Sequence, residues 1–325
     1  MEPLRETERT LLPEPGADFA RTGSRFGNLL HRDHEAIADH RCSGKEQSGG
    51  SIRNPHPDFI GSWRRPVAQS LANSMISPAK HLSTVDWDCE VKTLFSDKNL
   101  GCKVAVSRAI DWFFEHVEEG IILEDDCLPH PTFFRFCEEL LNKYRDDERI
   151  GQISGDNFQF GKKRTEYSYY FSRYTLIWGW ATWRRAWKNY DVDMKSWPEI
   201  HDNGWLQDWL GNKKLVHYWM RIFEMTYQGE INTWDYQWTF TCWIRNCLTI
   251  LPNVNLISNI GFSAGGTHTS CKNDKSANIP VEAMEFPLRH PPFMSRDSSS
   301  DKLTEKRYLV SFVDKVKDKI REIIN

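Results

Sequence analysis

The sequence predicts an α/β fold, because segments typical of strands alternate with segments typical of helices between residues 89 and 154. A continuous apolar run at Ile121–Leu123 has the pattern of a buried strand. An apolar stripe with helical spacing precedes it over 103–116, and a second one follows it over 132–144. The order strand, helix, strand favours parallel strands with right-handed connections.

The residues around these segments indicate where the elements begin and end. Cys89–Phe95 alternates like a half-buried strand, and the polar residues 97–101 lead from it into the first helix. Pro129 and Pro131 end the central strand before the second helix. After that helix, Arg149–Ser154 has the pattern of a further short strand.

The central strand is followed by three acidic residues, Glu124, Asp125 and Asp126. Ligands bind α/β folds at the carboxyl edge of the sheet, where a divalent cation would offset the repulsion between such carboxylates. An acidic surface turn before a helix is the alternative. Asp156 and Asn157 follow the next strand in the same way, and they are candidate substrate-binding residues.

Four segments of this chain, all within residues 83–270, resemble segments of a known family. The four are Gly120–Pro129, Ile177–Trp183, Trp234–Trp238 and Asn259–His268. With them the sequence resembles nucleotide-diphospho-sugar transferases of the GT-A type. It is most similar to bacterial, hemolytic-protein-like relatives of alpha-1,3-mannosyl-glycoprotein beta-1,2-N-acetylglucosaminyltransferase. The resemblance implies a Rossmann-like mixed sheet flanked by helices. It also implies an inverting, metal-dependent transfer of sugar from a nucleotide-diphospho-sugar to the hydroxyl of a glycan or another acceptor.

The resemblance assigns roles to the acidic residues. A leaving diphosphate carries concentrated negative charge, which Mn²⁺ or Mg²⁺ stabilises through oxygen ligands. Asp126 is then the metal ligand, while Glu124 and Asp125 contact the sugar nucleotide or orient that ligand. His268 lies in a Gly-Gly-Thr-His loop and is a candidate for the metal or the diphosphate. An ordinary loop imidazole is the alternative for His268.

An inverting transferase needs a base that takes the proton from the acceptor hydroxyl, and Asp235 is the candidate. Its neighbours Trp234 and Trp238 would raise the pKa of the carboxyl by desolvation. The family's version of this segment has a second Asp where this chain has Tyr236. The alternative is that Asp235 caps a helix over 236–246.

Most of the 14 tryptophans fall between residues 178 and 243. Flat aromatic faces line sugar pockets, and they also fill cores. One or two of four tryptophans are expected to contact the acceptor, and the four are Trp178, Trp180, Trp234 and Trp238.

Composition limits the classes of protein. A chain of 325 residues with net charge −3 buries a substantial core, and its near-neutral balance argues against a nucleic-acid partner. The 8 cysteines contain no C-x-x-C pair, which favours a reduced, cytoplasmic protein. No apolar run is long enough for a transmembrane segment, and the amino terminus lacks the pattern of a signal peptide.

The two ends of the chain differ from the central domain, 83–270. Residues 1–82 are rich in Pro and Gly and hold no convincing strand, so we expect the amino-terminal strands of the sheet to be lost or replaced, as by a frameshift. Residues 271–325 are expected to form an extended linker, including a polar stretch over 295–301, and then an amphipathic helix over 302–324. This helix packs on the domain or makes peripheral membrane contact.

Three functions therefore compete. The first is the sugar transferase, and the second is a catalytically inactive remnant of one that binds a sugar or nucleotide. The third is a metal-dependent phosphohydrolase, which also uses acids at strand ends. A phosphohydrolase needs further ligands at two-metal spacing, and the sequence offers only Asp156 and His268 for them.

Overall fold

The computed structural model describes residues 5–9, 26–32, 35–41, 90–96, 98–262 and 278–306. In this part of the chain it is an α/β fold, with a mixed parallel and antiparallel sheet flanked by helices. The strands are β1 (Arg5–Arg9), β2 (Phe26–Arg32), β3 (Glu35–Arg41), β4 (Glu90–Phe95), β5 (Glu119–Glu124), β6 (Cys127–Pro129), β7 (Ile150–Ser154), β8 (Tyr169–Ser172), β9 (Trp180–Trp183), β10 (Leu248–Pro252) and β11 (Ile257–Asn259).

The first two helices begin close to the positions that their apolar stripes predict. The helices are α1 (Gly101–His116), α2 (Thr132–Lys143), α3 (Arg184–Trp187), α4 (Trp197–Asp202), α5 (Trp205–Leu210), α6 (Lys213–Tyr227) and α7 (Asp235–Ile244). A further helix covers residues 298–306. Across the described ranges, every helix is too short or too polar to cross a membrane.

The main sheet has the strand order β1-β4-β3-β2-β5-β9-β7-β10-β8. β2 pairs parallel with β5, and β7 pairs parallel with β10, while β9 lies antiparallel between β5 and β7. β5, β7 and β10 therefore end at the same edge. β4 and β5 run in the same direction, as the strand–helix–strand order predicts, but β3 and β2 lie between them.

The side chains of β5 explain why the sheet lies between two layers of helices. Ile121 and Leu123 are buried in the core that α2 covers, whereas Ile122 is buried on the opposite face in the core that α1 covers. A strand with both faces covered reads as a continuous apolar run, which is the pattern seen in the sequence. A third core joins α4, α6 and α7 around Trp219 and Phe223.

The expectation that residues 1–82 contain no strand is wrong. β1, β2 and β3 lie in this region, and all three join the main sheet. β2 pairs with β5 from Phe26↔Glu119 to His31↔Glu124, so a strand from this region lies directly beside the central strand. β1 holds no apolar residue, and the three apolar residues in each of β2 and β3 neither alternate strictly nor form a long run, so hydrophobic periodicity does not reveal these strands.

The expectation of a polar linker over 295–301 is also wrong in part, because residues 298–306 form a helix. Asp297 precedes this helix, and its carboxylate accepts hydrogen bonds from the backbone N–H groups of Ser299 and Ser300. Ser and Asp are common at helix starts as well as in linkers, which is why the pattern misled. The predicted continuation of this helix lies outside the described residues beyond residue 306.

Asp301 attaches this helix to the edge strand β8. Its side chain is only 2% exposed, accepts a hydrogen bond from the Ser172 hydroxyl at 2.6 Å and lies 3.3 Å from Nε of Arg296. Burial raises the pKa of Asp301 to about 7, against the opposing effects of Ser172 and Arg296. The folded chain therefore holds this proton at pH values where the unfolded chain releases it.

We expect the free energy of unfolding to fall as the pH rises from about 4 to about 7, and Asp301→Asn to remove part of this slope. Below pH 4 both states carry the proton, so the stabilisation is complete, and it is lost as the pH passes the folded pKa. Urea unfolding at a series of pH values measures the slope, with the exposed Asp193→Asn as a matched control. Equal slopes in Asp301→Asn and the parent would show that Asp301 is ionised in the fold.

Candidate functional site

The three sequential acids lie at the carboxyl edge of the sheet, as predicted. Ile121–Leu123 are at most 2% exposed, and the strand ends at Glu124, which is half-buried. Asp125 is exposed and Asp126 is half-buried. Since a buried strand does not tolerate ionised side chains, the acids begin where the strand reaches the surface.

Asp126 is held against the chain that follows β11. Its carbonyl oxygen accepts a hydrogen bond from the Ile260 N–H at 2.9 Å. A Cβ atom on Gly261 would lie 2.2 Å from Oδ2 of Asp126, so a side chain at position 261 would displace this carboxylate. Gly261 therefore permits the close approach. His268, the second predicted metal ligand, lies outside the described residues.

Asp235 is brought to the same edge by the start of α7. It is the first residue of the helix, and the preceding Trp234 stands at the N-cap position without a side-chain capping bond. The Asp235 carboxylate instead accepts a hydrogen bond from the Thr233 hydroxyl. The alternative, in which Asp235 caps a helix over 236–246, is wrong in its bounds, because the helix includes Asp235 and ends at Ile244. A carboxylate in the first turn still interacts favourably with the helix dipole.

The pKa of Glu124 is sensitive to the acids around it. The pKa of Glu124 is raised to about 8, first by burial and then by the negative charges of Asp126, Asp235 and Asp125. The indole N–H of Trp234 donates to this carboxyl and opposes the rise. Four acidic side chains from two distant parts of the sequence thus share one region, where a cation would relieve their repulsion.

Tyr190 is part of this region, although no motif in the sequence indicates it. Its hydroxyl donates to the carbonyl oxygen of Trp234 at 3.2 Å, and its ring stacks on Trp187 with centroids 4.3 Å apart. Burial and then the charge of Asp235 raise the pKa of Tyr190. Tyr190 thus buttresses the turn that carries Asp235. Thr233 and Gly261 were likewise missed, because their roles depend on tertiary contacts.

Asp156 and Asn157 lie at the carboxyl end of β7, but their bonds organise the loop. They are 1% and 4% exposed. Oδ2 of Asp156 accepts a hydrogen bond from the Trp178 N–H at 3.0 Å, and Nδ2 of Asn157 donates to the carbonyl oxygen of Pro252 at 2.7 Å. Their contact with a substrate stays a prediction.

The four candidate tryptophans divide into one surface residue and three core residues. Trp180, Trp234 and Trp238 are at most 1% exposed, and the rings of Trp180 and Trp234 stack 5.5 Å apart. Trp178 is half-buried and lies edge-on to Phe158 and Phe262. Of the four, Trp178 is therefore the one placed to contact an acceptor, and the others fill the interior.

In the described ranges, no three His, Cys, Asp or Glu side chains converge closely enough to hold a metal ion by themselves. Mg²⁺ in nucleotide sites is commonly held by one or two carboxylates together with phosphate oxygens and water. Asp126 and the neighbouring acids fit that kind of binding, because they supply hard oxygen ligands and excess negative charge.

The sequence was also compared with known proteins. No protein-family model matches the chain, and no curated protein matches it.

Proposed function

We propose that the protein is a metal-dependent, inverting glycosyltransferase that moves a sugar from a nucleotide-diphospho-sugar to an acceptor hydroxyl. The observation that carries this proposal is that the start of α7 lies at the edge of the sheet where β5 ends. Trp234, next to Asp235, stacks on Trp180 of β9, which pairs with Ile122 of β5 just before the acids Glu124, Asp125 and Asp126. One group of acids follows a buried strand, and the other begins a helix. Such an arrangement offers both a cation-binding edge and a separate carboxylate for proton transfer.

Each acid has a distinct role in this proposal. Asp126, pinned by Gly261, is the direct ligand of Mn²⁺ or Mg²⁺, which supplies positive charge next to the leaving diphosphate. Glu124 and Asp125 contact the sugar nucleotide or orient Asp126. Asp235 takes the proton of the acceptor hydroxyl while that oxygen bonds to the anomeric carbon and the bond to the diphosphate breaks. Trp178 offers an apolar surface to the acceptor.

The two other candidate functions have less support. The alternative of an inactive remnant rested on the expected loss of the amino-terminal strands, whereas β2 from that region pairs with β5. A two-metal phosphohydrolase requires several ligands around paired ions, and beyond the three acids after β5 the sequence offers only Asp156 and His268 for them.

Calorimetric titration with nucleoside diphosphates tests the proposal. We expect at least one of UDP, GDP, ADP and CDP to bind when Mn²⁺ or Mg²⁺ is present, and Asp126→Asn to weaken that binding by about tenfold or more. Asp202→Asn, which changes an exposed acid elsewhere, serves as the control. Equal affinity in Asp126→Asn and the parent would remove Asp126 from the site. Absence of binding for all four diphosphates would contradict a sugar-nucleotide donor.

A further inference from the structure

The carboxyl end of α7 brings two cysteines together. The N–H of Cys247 donates to the carbonyl oxygen of Cys242 at 2.8 Å, and the N–H of Asn246 donates to that of Trp243 at 3.1 Å. Asn246 has φ of 54°, in the left-handed region. These features define a Schellman motif, in which the side chains at the first and last of these positions contact each other. Here both of those side chains carry a thiol.

Gly151 on β7 provides the space that both thiols occupy. A Cβ atom built on Gly151 would lie 3.3 Å from Sγ of Cys242 and 3.6 Å from Sγ of Cys247. Both sulfurs therefore approach a single point on the sheet. Both are free thiols, and Cys247 lies between the end of α7 and the start of β10.

We propose that Cys242 and Cys247 are an oxidation site that forms an intrachain disulfide by exchange with a small-molecule disulfide such as oxidised glutathione. The Cys247 thiolate attacks one glutathione sulfur, and the other glutathione leaves as a thiolate. The Cys242 thiolate then attacks the sulfur of Cys247 in the mixed disulfide and releases the second glutathione. The two protein thiols are oxidised, and one glutathione disulfide is reduced to two thiols.

The order of the two steps follows from exposure. Cys242 is 2% exposed, so it cannot meet a bulky reagent, whereas Cys247 is half-buried. Burial raises the pKa of both thiols, but the charges of Arg185 and Arg245 oppose the rise at Cys247. Cys247 is thus the first thiol to react. Because thiolate is the reactive form, the rate should increase with pH.

The disulfide would tie the end of α7 to the start of β10. Asp235 begins the same helix, so oxidation would restrain fraying at the end opposite to the candidate base. The proposal depends only on the two thiols and their motif, and it stands whether or not the protein transfers sugars.

Peptide mapping of the full chain tests this inference. The protein is equilibrated in oxidised and reduced glutathione, and the remaining thiols are alkylated before trypsin digestion. Trypsin cuts after Arg221, Arg245 and Lys272, so a Cys242–Cys247 bond links peptide 222–245 to peptide 246–272. We expect this linked pair to exceed any other cysteine pair by about tenfold.

Three variants identify the sulfurs in the linked peptides. Cys271 lies in the same peptide as Cys247, so Cys271→Ser should retain the link, and Cys247→Ser should abolish it. Cys102→Ser, at a half-buried cysteine on α1, should leave it unchanged. If Cys247→Ser fails to fold, Cys247→Ala takes its place, and it should abolish the link in the same way. The proposal would be overturned if Cys242 and Cys247 of the folded parent remain reduced and are therefore alkylated. It would also be overturned if the link runs through Cys271.

Discussion

With a sugar nucleotide that the protein uses as donor, Asp235→Asn should lower the turnover number by roughly 10²–10⁴-fold, the usual effect of losing a general base. The amide still accepts the hydrogen bond that the Thr233 hydroxyl donates, so the start of α7 keeps its geometry. It cannot accept a proton at neutral pH. Donor affinity should change little, because the proposed role of Asp235 is at the acceptor rather than at the diphosphate.

Release of nucleoside diphosphate from a panel of sugar nucleotides measures this loss, since transfer to water also needs a base. The control is Asp208→Asn, because Asp208 is likewise an acid in the first turn of a helix but is exposed on α5. A variant with normal turnover and a lower midpoint of thermal unfolding would give Asp235 a purely structural role. A loss of donor affinity without a loss of turnover would place it at the diphosphate.

The proposed roles of Asp126 as metal ligand and Asp235 as base require that different elements of the fold hold these two acids. Asp126 is fixed by the pairing of β6 with β11 and by contact with Gly261. Asp235 is fixed by α7, whose preceding loop supplies Asn232 to cap the N–H of Lys103 at the start of α1. Two carboxylates that are held by separate rigid elements can have different chemical roles within one charged region.

Hydrophobic periodicity was enough to predict the central part of the fold. Ile121–Leu123, the stripe of α1 and the stripe of α2 are buried as their spacing indicates. The acids after β5 could be placed at the sheet edge for the same reason, because an apolar strand must end before ionised groups begin. Local patterns therefore predicted one half of the candidate site.

The other half depends on contacts between residues far apart in the sequence. Tyr190 reaches the site only because its hydroxyl bonds to Trp234, and no motif around it indicates a function. The burial of Trp180 and Trp238 was equally hidden, since an aromatic residue suits a sugar pocket and a core alike. The strands β2 and β3 are defined by their backbone pairing with each other and with β5, which no local pattern in the sequence shows.

Gly179→Ala should destabilise the protein by about 2–5 kcal/mol. Gly179 has φ of +71°, and an alanine in the left-handed region costs about 1–2 kcal/mol. The added methyl group would also lie 2.5 Å from Cδ1 of Ile257 and 3.1 Å from Cδ2 of Leu123, both in the core. Overpacking of this kind costs a further ~1–3 kcal/mol, because a dense core has no room to relax.

Gly204→Ala separates the two contributions in this prediction. Gly204 has nearly the same φ, +70°, but an added Cβ atom would meet nothing within 4 Å. It should therefore show the backbone cost alone, about 1–2 kcal/mol, in denaturant unfolding. The difference between the two variants is the cost of pressing a methyl group between β5 and β11. Since β5 carries Glu124 and β11 leads to Gly261, Gly179→Ala should also weaken metal-dependent binding of nucleoside diphosphate, whereas Gly204→Ala should leave that binding unchanged. Equal destabilisation by the two substitutions would mean that the core beneath the acidic edge is not closely packed.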